Sequence, residues 1–454
     1  MTNNIEILSG MIVGVINAKY KDDIPTLEEF AAEAEQIRLA NNLIFPISND
    51  EFEQLLKSLR EFILVTIGDA HSLKGIDTNH QSWYPRHKND GFYWNRYRRY
   101  LEVKKKWSPE VTKRLHDTTN NIMDDLGDPT NPKKMFSRRG LLLGDVQSGK
   151  TATYTAICNK AADAGYRVII ILAGMLENLR FQTQERLDAE FAGRESKYAL
   201  DTKADQKIKN RSVGVGKIGP FNPEKRISCF TSVSTDFSKK VLKSNDLTLK
   251  NLKGTALFVV KKNKSVLENL HKWLVENNAD EDNKIDLPLL LIDDEADNAS
   301  VNTNSEEKNP TAINNAIRNI LGSFYQSSYL GITATPFANI FIDPDTDGGK
   351  PDDLFPRDFL TVLPAPSNYI GADLIFGNGD EDNWHIRHNA PYSDAVIKIY
   401  NEEMESYFKF KHKKTLADEL SSLPASLEEA MYYFLLANVV RDLRGDDTEH
   451  RSMM

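Results

Sequence analysis

The octapeptide Gly144-Asp145-Val146-Gln147-Ser148-Gly149-Lys150-Thr151 satisfies the spacing G-x-x-x-x-G-K-[ST], a pattern whose chemistry is the gripping of phosphate. Glycines at its ends let consecutive backbone N–H groups turn inward around phosphate oxygens, and the positive end of the next helix adds to their pull. Lys150 is placed to reach the β- and γ-phosphates of ATP, Thr151 to put its hydroxyl on Mg²⁺, and Ala152 completes the nucleotide-binding stretch. The flanks agree. Leu141, Leu142 and Leu143 lead in as a strand, and TATYTAICNKAADAG follows as a helix that Gly165 should close.

A second set of residues could act on what this loop holds. LPLLLIDDEAD, from Leu287 to Asp297, reads as a buried strand ending in acids. Carboxylates at a strand's C-terminal edge can approach a cation held by Thr151, so Asp294 is the metal-side candidate and Glu295 the group that orients or deprotonates water. A shift of one residue in the strand end would give the metal role to Asp293. Downstream, GITATPF closes another apolar strand with Thr333-Ala334-Thr335-Pro336, and Thr335 joins Lys150, Asp294 and Glu295 as a catalytic candidate. GVGKIG, from Gly214 to Gly219, also fits the dinucleotide pattern G-x-G-x-x-G. Pro220 and Pro223 follow at once and no strand leads in, so it is read as a loop, and no nicotinamide or flavin site is expected.

These groups need a frame. RRGLLLG, YRVIIILAG, ALFVV, LPLLLIDDEAD and SYLGITATP alternate with helical stretches, which predicts an α/β domain with a parallel sheet over 136–345. Residues 1–135 read as a mostly helical region, with capping boxes at Thr26/Glu29 and Ser48/Glu51. DPDTDGGKPDDLFP marks a boundary, 356–395 reads as irregular, and helical spacing returns from 396, making 346–454 a linker and helical segment. The net charge of -9 excludes a uniformly basic nucleic-acid coat. Two cysteines among 454 residues exclude a disulfide framework or a cysteine zinc site and fit the cytoplasm. No run of about 18 apolar residues occurs, so no membrane partner is expected.

In their order, GDVQSGKT, DDEAD and TATP resemble motifs I, II and III of superfamily-two helicase-like ATPases, which implies a RecA-like fold with ATP and Mg²⁺ as cofactors. ILAGMLENLRFQTQERLD, FVVKKNKSVLENL and YWNRYRRYLEVKKKW are similar to the bacterial Z-one domain family, over roughly residues 80–454. That resemblance implies an anti-phage defence role beside a MutL-like ATPase, a DNA methyltransferase and restriction-type nucleases; the family is often labelled an endonuclease. It also implies a second RecA-like lobe with a C-terminal arginine motif. The chain stops at His450-Arg451-Ser452-Met453-Met454, where that lobe would begin, so weak hydrolysis is expected of it.

The same resemblance implies DNA across the top of the lobe, with Arg180, Gln182, Gln184, Arg186, Thr231, Ser232, Lys261, Lys262 and Lys264 as phosphate contacts. In Phe92–Trp107, Tyr93, Tyr97, Tyr100 and Leu101 recur at helical spacing, which favours a helix packed on the core over a single-strand grip. The triplet Glu102-Val103-Lys104 lies in a helical, basic stretch, a poor setting for a nuclease centre. The expected activity is therefore that of the ATPase module of a DNA translocase or remodeller. The alternative is an ATP-dependent switch that holds protein partners.

Overall fold

The computed structural model describes residues 2–20, 26–63, 70–75, 80–87, 91–130, 135–145, 148–197, 211–219, 222–239, 248–249, 252–300, 311–336, 339, 354–364, 378–380, 383–388 and 423–443. Met1–Tyr369 form one compact unit and Ile370–Met454 another.

The first unit opens with three helices, α1 (Thr2–Lys19), α2 (Leu27–Asn41) and α3 (Asn49–Ile63). They enclose a core of their own, in which Leu8, Ile12 and Ile16 meet Phe30, Ala34, Phe52, Leu55 and Leu59. Both expected capping boxes are present. The Thr26 and Ser48 amides each donate at 2.8 Å to the carboxylate three residues on, and the Glu29 and Glu51 amides return bonds to the hydroxyls at 3.3 and 3.2 Å. Next come β1 (His71–Lys74), α4 (Phe92–Val103) and α5 (Pro109–Asp125).

The α/β core follows: β2 (Phe136–Gly144), α6 (Lys150–Ala164), β3 (Val168–Ala173), α7 (Glu177–Leu187), β4 (Ser228–Cys229), β5 (Ala256–Val260), α8 (Lys264–Asn278), β6 (Leu289–Asp294), α9 (Ala312–Gly322), β7 (Gln326–Thr333) and β8 (Phe359–Leu363). The sheet order is β1-β8-β2-β7-β6-β3-β5-β4, and every neighbouring pair is parallel except β1 with β8. This is the expected α/β class, with a sheet that is parallel apart from its β1 edge. The phosphate-loop strand β2 and the acid strand β6 flank β7.

Two apolar layers sandwich the sheet, and alternation along each strand assigns side chains to them. On β3, Ile169, Ile171 and Ala173 join the layer under α4, α5 and α6, whereas Val168, Ile170 and Leu172 join the layer under α8 and α9. Gly165, at φ 107, closes α6 as expected. GVGKIG begins with a single 3-10 turn, Gly214–Lys217, and its glycines serve packing. A Cβ on Gly216 would lie 1.8 Å from the Gly193 carbonyl oxygen, so the strap could not lie this close.

Two elements of the first unit depart from the sequence-derived boundaries. β1 is a strand inside the region read as helical. β8 extends the sheet past residue 345; its run is as short as that of β5 but follows a Pro- and Asp-rich loop, which hid it. A buried ion pair fixes it there. Arg138 Nη1 donates to Asp358 Oδ1 at 2.9 Å, and Asp358 Oδ2 accepts the Arg139 amide at 2.6 Å.

In the second unit, β9 (Asn378–Asp380) pairs antiparallel with β10 (Asn383–His388), which corrects the reading of 356–395 as irregular, and α10 (Ala425–Leu443) covers the expected SLEEAMYYFLLANVVRDL helix. The helix expected from SDAVIKIYNEEMESYFKF lies outside the described residues. Among those described, no helix is long and apolar enough to cross a membrane.

Removing one partner of the Arg138–Asp358 pair strands a buried charge. Asp358→Ala should therefore lower unfolding free energy by about 3–5 kcal/mol, read from urea denaturation. A loss below about 1 kcal/mol would show that β8 is held by other contacts.

Candidate active site

Parallel pairing brings the C-terminal ends of β2, β7, β6, β3 and β5 to one edge of the sheet, where ligands of open α/β folds bind. There β2 ends at Gly144, and Gly149, at φ 82, takes the left-handed turn that starts α6. Only glycine takes this conformation without strain. Gly144 is needed for closeness, since a Cβ there would lie 2.3 Å from Ser148 Oγ. Lys150 folds back over the loop, its Nζ donating to the carbonyls of Gly144 at 2.6 Å and Asp145 at 2.7 Å. Burial lowers its pKa, while the charges of Asp294, Asp145 and Asp297 raise it, so the ammonium and the acid turn share one field. Ser148 Oγ is buried without a hydrogen-bond partner. Val146 and Gln147 lie outside the described residues.

The acids separate by strand alternation. Asp293 points into the protein, where it pairs with Lys262 at 2.8 Å, both side chains wholly buried, and accepts the Tyr329 hydroxyl at 2.8 Å. It is thereby removed from the metal-side role. Asp294 turns the other way, into a cavity of about 190 Å³ that it lines with Thr151, Tyr154, Thr183, Arg186 and Glu295. Burial, reinforced by the negative charge of Glu295, pushes its pKa up to about 6. Glu295 sits at φ 54, a left-handed backbone for a residue with a β-carbon. Such strain gathers at functional sites because the surroundings must enforce it.

Thr335 does not reach this cavity. Its hydroxyl donates to Asp297 Oδ2 at 2.6 Å, while Thr333 donates to Asp297 Oδ1 at 2.6 Å and accepts the Thr335 amide at 2.9 Å. The threonines brace the acid turn against the end of β7, so Thr335 is corrected from a catalytic to a bracing role. Sequence reasoning missed Asp297. The signal was present, since the last acid of DDEAD has two hydroxyl residues to satisfy it in TATP.

The expected nucleic-acid contacts divide by helix face, and several are corrected. Arg180 is wholly buried, donating to Glu177 Oε1 at 2.7 Å and to the carbonyls of Ser232 at 2.8 Å and Val233 at 3.1 Å. Gln184, Thr231 and Ser232 are buried beside it, with Thr231 Oγ1 bridging Gln184 at 2.7 Å and the Val259 amide at 2.8 Å. Lys262 is consumed by Asp293. These groups have spent their hydrogen-bonding capacity inside the fold and present none to a phosphate. Gln182 and Arg186 lie on the opposite face of α7, exposed along the cavity. Lys261 and Lys264 reach solvent, paired with Glu177 at 3.1 Å and Glu268 at 3.9 Å.

Tyr93, Trp94, Tyr97 and Leu101 are buried on α4, so the aromatic run packs on the core. Glu102 and Val103 belong to that helix and Lys104 caps it, which gives the nuclease triplet no strand. Among the described residues, no three His, Cys, Asp or Glu side chains cluster as a metal cage. The donors that remain, the Thr151 hydroxyl and the Asp294 carboxylate, fit Mg²⁺, a hard cation normally held by one or two carboxylates together with phosphate and water.

No family model matches this chain, and no curated protein matches it. A similar solved structure is that of the Pyrococcus furiosus Hef helicase domain, with 16% identity and a TM-score of 0.26 over 44% of this chain and 30% of that one.

The raised pKa of Asp294 sets a pH dependence. The folded protein binds this proton more tightly than the unfolded chain, so the cost of ionisation is absent below the ordinary value of 3.8, builds from there toward pH 6, and is complete above it. Without divalent cations, Asp294→Asn should therefore stabilise the protein by roughly 1–3 kcal/mol at pH 8 and by almost nothing at about pH 3. Equal urea midpoints at pH 8 would show that the carboxylate is solvated.

Proposed function

We propose that this lobe binds ATP with Mg²⁺ and hydrolyses its terminal phosphate. One observation carries the reading. The helix-start hydroxyl Thr151, the acids Asp294 and Glu295, and the cation Arg186 line one small cavity at the sheet edge where the phosphate loop ends. Thr151 and Asp294 would hold Mg²⁺, which neutralises phosphate charge when bound. Lys150 leaves the carbonyls of its own loop for the terminal phosphates, Glu295 holds the attacking water and receives its proton, and Arg186 adds positive charge from within the same lobe.

The helicase-like motif resemblance extends this to movement along DNA or its remodelling, and the Z-one domain family resemblance adds a role in a defence system. The accessible groups that support a sequence-independent DNA contact are Lys261, Lys264 and Gln182, fewer than the sequence implied. A second reading, an ATP-dependent switch that holds protein partners, draws on a different observation: α1, α2 and α3 enclose a separate core, as a docking module would.

Lys150→Ala should weaken ATP binding at least tenfold in a fluorescent-nucleotide titration, and unchanged affinity would reject the site. Glu295→Gln should bind ATP normally while turnover falls about 10²- to 10⁴-fold. Steady-state hydrolysis with and without single- and double-stranded DNA separates the two readings. Stimulation by DNA supports the motor, and indifference to DNA supports the switch.

A further inference from the structure

Lys262 follows β5, and its side chain is wholly buried. From there the ammonium reaches the end of β6 and two carbonyls of the turn that follows it. It pairs with the Asp293 carboxylate at 2.8 Å and donates to the carbonyl oxygens of Glu295 at 2.5 Å and Asn298 at 3.1 Å. Its backbone N–H donates to the Gly174 carbonyl at 2.8 Å, past the end of β3. Gly174 is also where the Glu295 carboxylate rests, since a Cβ built there would lie 3.3 Å from Glu295 Oε2. One residue thus ties the ends of β5, β3 and β6 around Glu295.

Stability alone explains this arrangement poorly. Burying a lysine and an aspartate removes both from water, and their attraction offsets that cost only in part, so apolar replacements of similar volume are often neutral. Meanwhile Glu295 is held at φ 54, a strained backbone for a residue with a β-carbon that persists only where neighbours over-determine it. The Asp294 side chain takes the Glu295 amide at 3.1 Å, and Lys262 takes the Glu295 carbonyl. The peptide is gripped from both sides.

We propose that Lys262 is a positioning residue for the hydrolytic reaction: by drawing the Glu295 carbonyl inward, it fixes the left-handed backbone that aims the Glu295 carboxylate into the cavity shared with Thr151 and Asp294. The proposal rests on the triphosphatase reading and adds to it a residue that lies in none of the three motifs.

The test removes the charge pair as a whole, because Lys262→Met alone strands Asp293. In Lys262→Met/Asp293→Asn the asparagine still accepts the Tyr329 hydroxyl. The double variant should keep its melting temperature within a few degrees and its ATP affinity within about threefold. Amide hydrogen exchange over 294–299 should accelerate at least tenfold, and kcat should fall at least tenfold. Unchanged exchange over 294–299 in the folded variant would overturn the proposal whatever the activity. So would wild-type kcat. Lys262→Arg is the second variant: it retains the charge, but its planar fork does not match a carboxylate and two carbonyls at once. It should fold and show an intermediate kcat with unchanged affinity; wild-type kcat there would equally count against the geometry. The reading beneath fails differently, through wild-type protein that hydrolyses no more ATP than Lys150→Ala, and the exchange measurement stands apart from that result.

Discussion

The register of the parallel sheet is the constraint on which the rest depends. Leu143 of β2 lies opposite Thr333 of β7, Ile332 of β7 opposite Asp294 of β6, and Asp294 opposite Ala173 of β3. Four strands therefore end level. The phosphate loop, the bracing threonines, the acid turn and the root of α7 meet at one edge without any of them reaching. Side chains alternate with period two, so a slip of one residue in β6 would exchange Asp293 and Asp294. Asp294 would then take the inward place beside Lys262 and leave the cavity it now lines. The ladder of backbone hydrogen bonds sets the chemistry as much as it sets the fold.

Buried charges mark the places where that register is locked. Lys262 with Asp293 ties β5 to β6, and Arg138 with Asp358 ties β2 to β8. Lys160 does comparable work outside the sheet. Fully buried in α6, it donates to the His116 carbonyl at 2.7 Å and to Asn120 Oδ1 at 2.6 Å, with its ammonium 4.5 Å from the centroid of the Trp94 ring. Burial lowers its pKa well below the usual value. Each such group is costly alone and tolerable only with its partners in place, so each specifies one arrangement of neighbouring elements and penalises the rest.

Much of this was legible because it is local. The phosphate loop announces itself by spacing, the capping boxes by residue pairs three apart, and the central strands by apolar runs between turn residues. The legible part ends where a role depends on orientation. Arg180 and Arg186 are both cations on α7, six residues apart, and nothing in their types says that one is buried against the carbonyls of Ser232 and Val233 while the other lines the cavity. Helical geometry places those positions on different faces, but which face is inward depends on the β4 loop, about fifty residues downstream. The same holds for Lys261 and Lys262. Adjacent residues at a strand end point opposite ways, and only the docked acid turn decides which is inside.

Glu295 shows the same boundary at the level of the backbone. Its motif marks it as a catalytic acid, yet its left-handed conformation follows from no propensity of glutamate, which disfavours it. The conformation is imposed by contacts from β5 on one side and from its own neighbour Asp294 on the other, so it exists only once three strands have assembled. A motif can name the group that does chemistry; the strain that aims it belongs to the tertiary structure. The residues that supply the aim therefore lie among the parts of the sequence that look most ordinary, such as a lysine in KKNK that composition alone would send to the surface.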